Sequence, residues 1–139
     1  MRTTGLGQSR RVSLVAVGVV AFLAVGAGCT PAGQSAAWAA AGQFETALTD
    51  HDGEAACRLL SDEARHRLET ASTRPCPAAL EALSLPAGPA RSIQTWGGNS
   101  QVRLDGTVVF LAEFRAGWRV TAAGCTPRTD QPYDCVVAA

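Results

Sequence analysis

Residues 101–123 read QVRLDGTVVFLAEFRAGWRVTAA, and this stretch decides the fold. Valine and aromatic residues recur in short runs, and the glycine-bearing breaks Asp105-Gly106 and Ala116-Gly117 separate them. Short alternating runs between turn signals are typical of antiparallel strands joined by hairpins. The stretch therefore predicts three strands, over residues 101–103, 107–114 and 118–123.

The length of the two turns decides which side chains share a face. Three-residue loops, with Gly106 and Gly117 in the left-handed conformation, separate apolar from polar side chains better than two-residue turns do. The inward face is then expected to hold Val102, Val108, Phe110, Ala112, Phe114, Trp118, Val120 and Ala122. The outer face is expected to hold Gln101, Arg103, Thr107, Val109, Leu111, Glu113, Arg119 and Thr121.

Upstream of these strands, the chain changes from alternation to helical spacing. A fourth strand is predicted over residues 91–96, and the proline- and glycine-bearing segment 85–89 separates it from the helices. Ser35, Asp52 and Ser61 are the expected N-caps of the first three helices. The helices are predicted over residues 35–49, 52–60, 61–73 and 77–83.

Helices that precede a run of strands predict an α+β domain over residues 35–139. Apolar side chains recur at three- and four-residue spacing in the first helix, so we expect this stripe to face the core. The stripe consists of Trp38, Ala41, Phe44 and Leu48. The expected architecture is a layer of N-terminal helices packed on a curved antiparallel sheet of about four strands.

The first 28 residues have the layout of an export signal. Arg2, Arg10 and Arg11 form a basic start without acidic residues, and the run 12–28 is small and apolar. The run is slightly short for a transmembrane helix, and its glycines weaken it further as a permanent span. We therefore predict a signal peptide over residues 1–28, which directs export of the chain by the general or the twin-arginine route.

The segment Val25-Gly26-Ala27-Gly28-Cys29 resembles a bacterial lipobox, although Gly26 stands where leucine is usual. In lipoproteins the cysteine that follows the small residues receives a diacylglyceryl group and becomes the first residue after cleavage. The resemblance implies that Cys29 is the lipid anchor, with residues 29–34 as a tether to the cell membrane. Ordinary cleavage with a spare thiol and an uncleaved anchor are the alternatives.

Four cysteines remain after Cys29, and an even set in a small exported domain predicts two disulfides. They are Cys57, Cys76, Cys125 and Cys135. Of the three pairings, we favour the one between sequence neighbours. Zinc binding is disfavoured because the chain contains no Cys-x-x-Cys pair. The sequence predicts neither a metal nor a cofactor.

The charges limit the class of partner. The whole chain has twelve arginines, no lysine and twelve carboxylates, a net charge of zero that argues against nucleic-acid binding. Removal of residues 1–28 takes away three arginines and leaves a mildly acidic chain. Because an anionic leaflet repels an acidic domain, we expect the lipid alone to hold it at the membrane.

Several segments together resemble a group of small secreted lipoproteins of actinobacteria whose function is unassigned. The matching segments are Phe44 to Leu48, Asp52-Gly53, Ala56-Cys57, Leu59-Leu60, Pro75-Cys76, Phe110-Leu111, residues 117–125 (GWRVTAAGC) and residues 132–135 (PYDC). The order of helices and strands also resembles the NTF2-like (SnoaL-like, cystatin-like) superfold, which implies a cone that encloses a pocket. That superfold hosts enzymes, ligand binders and interaction domains, so it fixes no chemistry.

Neither histidine predicts catalysis. His51 lies in an Asp-His-Asp turn and His66 lies between two arginines on a helix, and both are expected to be solvated. The inward face of the sheet is predicted to lack the polar groups that a proton-transfer site needs. Tyr133 is expected to pack the C-terminal tail onto the domain.

The sequence therefore favours a non-catalytic lipoprotein of the cell envelope that binds a partner protein or has a structural role. A homodimer or a partner is expected on the outer face of the sheet. The alternative is a binder of a small apolar ligand in the cone, with a pocket lined by Trp96, Phe110, Phe114 and Trp118. A small isomerase or dehydratase is the least favoured interpretation.

Overall fold

The computed structural model describes residues 32–130 and 132–139. The predicted signal peptide and Cys29 lie outside the described residues, so both stay predictions. The helices are α1 (Gln34–Thr49), α2 (Gly53–Leu59), α3 (Asp62–Ser72) and α4 (Cys76–Leu83). The strands are β1 (Ala90–Trp96), β2 (Asn99–Leu104), β3 (Val108–Phe114), β4 (Gly117–Thr126) and β5 (Asp134–Ala138).

Two of the predicted helix caps are confirmed. The Asp52 side chain accepts a hydrogen bond of 2.9 Å from the Ala55 N–H at the start of α2. The Ser61 hydroxyl accepts one of 3.2 Å from the Ala64 N–H at the start of α3. Each bond satisfies a backbone donor that the first turn of a helix leaves without an intrahelical partner. These polar side chains therefore separate the helices as the sequence predicts.

The predicted cap at Ser35 is wrong. Gly33 is the N-cap of α1, with a φ of 81°, and Ser35 lies inside the first turn. A Cβ on Gly33 would lie 2.9 Å from Cζ2 of Trp118, so only glycine fits this approach without displacing the indole. The contact with a residue far along the chain decides where α1 begins.

The buried stripe of α1 is shifted from the predicted one by one residue at its start. Ala41 and Phe44 are fully buried, as expected, and Leu48 packs against the core. Ala37 is also fully buried, whereas Trp38 is 38% exposed. The small side chain of alanine allows the helix to approach the sheet closely, and the bulky indole beside it stays at the surface.

The sheet is an open antiparallel meander in the order β1-β2-β3-β4-β5. The α+β class is confirmed, with five strands rather than about four. We missed β5 because it has only five residues and follows an irregular connection after Thr126. The NTF2-like cone is not confirmed, since β1 and β5 are edge strands of an open sheet.

The predicted register is wrong because both central turns contain two residues. The Leu104 N–H donates a 2.9 Å hydrogen bond to the Thr107 carbonyl oxygen around Asp105-Gly106. Phe114 pairs directly with Gly117 around the second turn. A loop shorter by one residue turns every side chain of the following strand to the opposite face.

Strand β3 is therefore inverted relative to the prediction. Val109 pairs with Val102 and Leu111 pairs with Val120, and these four side chains are buried in the core under the helices. Phe110 instead pairs with Gln101 on the outer face. Val108, Phe110, Ala112 and Phe114, which were predicted on the inner face, lie on the outer face. Conversely, Val109, Leu111 and Glu113, which were predicted on the outer face, lie on the inner face.

The prediction failed because it assumed that only the helices cover apolar side chains. Val108 and Cys125 are buried but lie outside the main core, where they pair across β3 and β4. Tyr133, from the connection before β5, lies against Phe110. The outer face therefore has a cover of its own at one end, which allows apolar residues of β3 to lie there.

Candidate functional site

Both disulfides join sequence neighbours, which confirms the favoured pairing. Cys57–Cys76 links α2 to the first residue of α4, with a Cα–Cα distance of 6.1 Å. Cys125–Cys135 links β4 to β5 at directly paired positions, 4.0 Å apart. One bridge therefore fixes the helical layer and the other fixes the edge strand to the sheet.

The outer face of the sheet carries polar side chains in cross-strand rows. Gln94, Gln101 and Phe110 form one row across β1, β2 and β3. Trp96, Asn99, Ala112 and Arg119 form the next row toward the turns that join β1 to β2 and β3 to β4. The helices pack on the opposite face. We name the surface formed by these two rows, together with Arg103, the outer face.

Tyr133 covers one end of the outer face. Its ring lies edge-on to Phe110, with ring centroids 5.0 Å apart and an interplanar angle of 74°. Its hydroxyl accepts hydrogen bonds from Gln101 Nε2 at 3.3 Å and from the Arg103 guanidinium at 3.5 Å. The expected packing of the C-terminal tail through Tyr133 is thus confirmed, and it holds two outer-face polar groups in place.

Two arginines of the outer face have no carboxylate partner among the described residues. Arg119 donates to the carbonyl oxygen of Trp118 at 2.9 Å, and Arg103 reaches only the Tyr133 hydroxyl. By contrast, Arg91 on β1 donates to Asp105 at 2.7 Å, a hydrogen bond that lowers the pKa of this carboxyl group. The outer face therefore carries two positive charges that no carboxylate of the described residues pairs with.

The four aromatic residues predicted to line one pocket do not come together. Trp118 is buried on the inner face, where Glu113 pairs with it, whereas Phe110 and Phe114 lie on the outer face. Trp96 is 50% exposed and Phe114 is 47% exposed. The corrected register thus places a sheet between Trp118 and the two phenylalanines.

A cleft of about 370 Å³ lies between the C-terminal ends of α1 and α4. The apolar part of its wall is formed by Leu48, Leu80 and Leu85, and its polar groups come from His51 and Ser84. Both polar residues have a left-handed backbone, with φ values of 57° and 47°. Non-glycine residues adopt this conformation at an energetic cost, so the backbone is strained at both of these positions on the cleft edge.

Both histidines lie at the surface of the domain. His51 lies exposed in the turn after α1, and His66 lies exposed on α3. The hydrogen bonds found within residues 32–130 and 132–139 include none from either imidazole ring. The same residues contain no group of three or more side chains that could hold a metal ion.

One buried carboxyl group, that of Glu45 on α1, was not predicted from the sequence. Its Oε2 accepts a hydrogen bond of 3.0 Å from the Gly88 N–H, and the residue is 7% exposed. Burial raises the pKa of Glu45 to about 6, and the hydrogen bond from Gly88 opposes this shift. Its spacing of four residues from Ala41 placed it on the buried stripe and was the available signal.

Within the described ranges, no helix is long and apolar enough to cross a membrane. Comparisons of the chain with protein-family models, with curated proteins and with solved structures found no match.

Proposed function

We propose that this chain is a non-catalytic, lipid-anchored domain on the extracytoplasmic side of the cell membrane, which binds a partner protein through its outer face. The lipobox-like segment that ends at Cys29 supports the anchor. Two disulfides in a small domain support export, because such bonds persist in oxidising compartments.

One observation carries the binding role: the outer face combines aromatic surface with cations that lack a counter-ion in the described chain. Arg103 and Arg119 lie on β2 and β4, and Gln94 lies exposed on the edge strand β1. Arginine and aromatic side chains are enriched at the centres of protein interfaces. The sheet presents them on one face without any rearrangement of the backbone.

The charge of the outer face selects the class of partner. Two copies of this chain packed face to face would bring unpaired arginines together, which disfavours a homodimer. A partner with carboxylates at matching positions would pair with them instead. We therefore favour a different envelope protein with an acidic surface over self-association.

The test needs two readouts from protein purified from its own membranes. Intact mass reports cleavage before Cys29 and the acyl group on it. A photo-reactive phenylalanine analogue, placed at Gln94 on the outer face or at Glu54 on α2, reports the partner. Both positions are exposed, so Glu54 is a matched control.

We expect an acylated mass and a cross-linked product from position 94 that is absent from position 54. A product at twice the mass of the chain would identify a homodimer and contradict the favoured partner. An unmodified or uncleaved N-terminus would contradict the anchor. Equal cross-linking from both positions would contradict a role of the outer face.

A second candidate function is the binding of a small apolar ligand, and the cleft between α1 and α4 favours it over the predicted cone pocket. Its volume of about 370 Å³ lies in the range of small-molecule sites. A fluorescent apolar probe should bind the wild type and lose affinity in Leu48→Arg. Unchanged affinity in this variant would contradict the cleft as the site.

A further inference from the structure

The described chain begins at one particular end of the sheet. Gly33, immediately before α1, lies so close to Trp118 that a Cβ would come within 2.9 Å of the indole. Trp118 is the second residue of β4, directly after the β3–β4 turn. The N-terminal end of the described residues therefore lies beside this turn.

The β1–β2 turn lies at the same end. The Glu113 N–H, near the end of β3, donates a hydrogen bond of 2.8 Å to the carbonyl oxygen of Gly98 in that turn. We name this part of the domain the tether end. It consists of the two turns, the residues that flank them and the first turns of α1.

Exposed aromatic side chains concentrate at the tether end. Among the described residues, the exposed aromatic side chains are Trp38 (38% exposed), Trp96 (50%) and Phe114 (47%). Trp96 and Phe114 are the last residues of β1 and β3. Trp38 follows Gly33 by five residues, which is about 7.5 Å along the axis of α1. Aromatic residues with a polar edge are enriched where an apolar phase meets water.

The charges at the tether end also favour contact with an anionic lipid surface. Arg115 in the β3–β4 turn and Arg119 nearby have no salt-bridge partner among the described residues, and Glu113 is the carboxylate beside them. Asp50 lies at the far end of α1, and the 16 residues of that helix span about 24 Å. This exceeds the Debye length of about 8 Å at physiological salt, so a carboxylate there is largely screened from a surface at the tether end.

The predicted anchor is close to these residues along the chain. Three residues lie between Cys29 and Gly33, and the four Cα-to-Cα steps of a fully extended chain span at most about 14 Å. An acyl chain on Cys29 would therefore hold the tether end near the lipid headgroups. Net charge alone predicts repulsion from an anionic leaflet, but the distribution of charge and aromatic surface predicts contact.

We propose that the tether end is a second membrane contact, in which Trp38, Trp96 and Phe114 lie at the lipid headgroups beside Arg115. This inference rests on the proposed lipid anchor at Cys29. It orients the domain with the two turns toward the bilayer. The part of the outer face away from the turns, with Gln94, Gln101 and Arg103, then stays open to a partner.

The experiment uses the acylated protein in vesicles of equal parts phosphatidylcholine and phosphatidylglycerol, with or without bromine on the acyl chains. Bromine quenches tryptophan fluorescence only at close range. The Trp96→Phe variant identifies the contribution of Trp96 by difference. A matched control probe is Arg128→Trp in the Trp96→Phe background, because Arg128 is exposed in the β4–β5 connection at the opposite end.

We expect brominated lipid to quench Trp96 strongly and to leave the probe at position 128 unaffected. Arg115→Glu should reduce the quenching of Trp96, whereas neutral vesicles should diminish that difference. Thermal unfolding of each variant checks that the fold is retained. Equal quenching of Trp96 and the control probe, or none at either, would overturn the proposal.

The mass of the same sample separates this proposal from the proposed function. An acylated mass without quenching of Trp96 would leave the anchor standing and overturn the contact. If the mass shows no acyl group, the anchor fails, and the same comparison with excess vesicles tests the contact alone. Quenching of Trp96 in the non-acylated protein would support the membrane contact. The absence of this quenching would overturn the membrane contact as well as the anchor.

Discussion

Glu45 on α1 accepts a hydrogen bond of 3.0 Å from the backbone N–H of Gly88, in the connection between α4 and β1. The two residues are 43 positions apart in the sequence, so this bond fixes a connection that contains proline and glycine to the first helix. The same connection contributes Leu85 to the wall of the α1–α4 cleft. A buried carboxyl group thus stabilises one side of the cleft.

This carboxyl group predicts a pH-dependent stability. Burial raises the pKa of Glu45 from 4.5 to about 6, so the folded state binds the proton more tightly than the unfolded state does. The resulting stabilisation is complete below pH 4.5 and is lost as the pH rises through 6. We expect the contribution of Glu45 to the free energy of unfolding to fall by about 1 to 2 kcal/mol across this window.

Denaturant unfolding of wild type and Glu45→Gln at a series of pH values measures this effect. Glutamine keeps an oxygen that accepts from Gly88 but does not ionise. The pKa values of Glu63 and Asp105 are lowered by hydrogen bonds from arginines, so their contributions change in the opposite direction. The difference between the two proteins cancels them. Parallel pH profiles would contradict the assigned role of Glu45.

Two glycines of the first helical segment should respond to alanine with opposite signs. Gly33→Ala introduces a Cβ at a φ of 81° and 2.9 Å from the Trp118 ring, so we expect a destabilisation of about 1 to 3 kcal/mol. Gly42→Ala lies inside α1 with no atom within 4 Å of the new Cβ, so we expect a gain of about 0.5 to 1 kcal/mol. Thermal unfolding checks both. Equal effects would contradict the contact between Gly33 and Trp118.

Two residues on opposite faces of β3 test the corrected register. Leu111 is 1% exposed, and Leu111→Ala should lower the free energy of unfolding by about 2 to 5 kcal/mol. Phe114→Ala removes a side chain that is 47% exposed, so we expect a loss below about 1 kcal/mol. Urea titrations of the two variants decide between the registers. A larger loss from Phe114→Ala would restore the three-residue loops.

The two disulfides should stabilise the fold by similar amounts. Replacing Cys57 and Cys76 by alanine opens a loop of 19 residues, and the loop-entropy model gives a loss of about 3 kcal/mol. The same change at Cys125 and Cys135 opens a loop of 10 residues, and the model gives about 0.5 kcal/mol less. Unfolding of the two double variants under non-reducing conditions measures both losses. No loss in either would contradict the bridges as stabilising links.

Local signals predicted the parts of the fold that local contacts determine. The caps at Asp52 and Ser61 depend on side chains three residues from the donors they accept from, so the sequence contains the whole interaction. The pairing of neighbouring cysteines also follows from short loops. The start of α1 depends instead on the contact of Gly33 with Trp118, which no local pattern contains.

The register and the site required contacts between distant residues. An Asp-Gly pair such as Asp105-Gly106 favours a two-residue turn, and this local signal was outweighed by the count of apolar residues on each face. The count omitted Tyr133, which covers Phe110 from 23 positions away. The collection of Trp38, Trp96 and Phe114 at one end could not be predicted either, because it depends on how α1 lies along the sheet.

Each disulfide joins two cysteines that follow one another in the sequence, with no other cysteine between them. If the chain is exported unfolded and N-terminus first, Cys57 and Cys76 meet the oxidant before Cys125 and Cys135 emerge, so the first encounter of neighbouring thiols already yields the native bridges. Acylation of Cys29 would remove the one competing thiol. On that route, oxidation can follow the order of translocation, and the native pairing does not depend on reshuffling of non-native bridges.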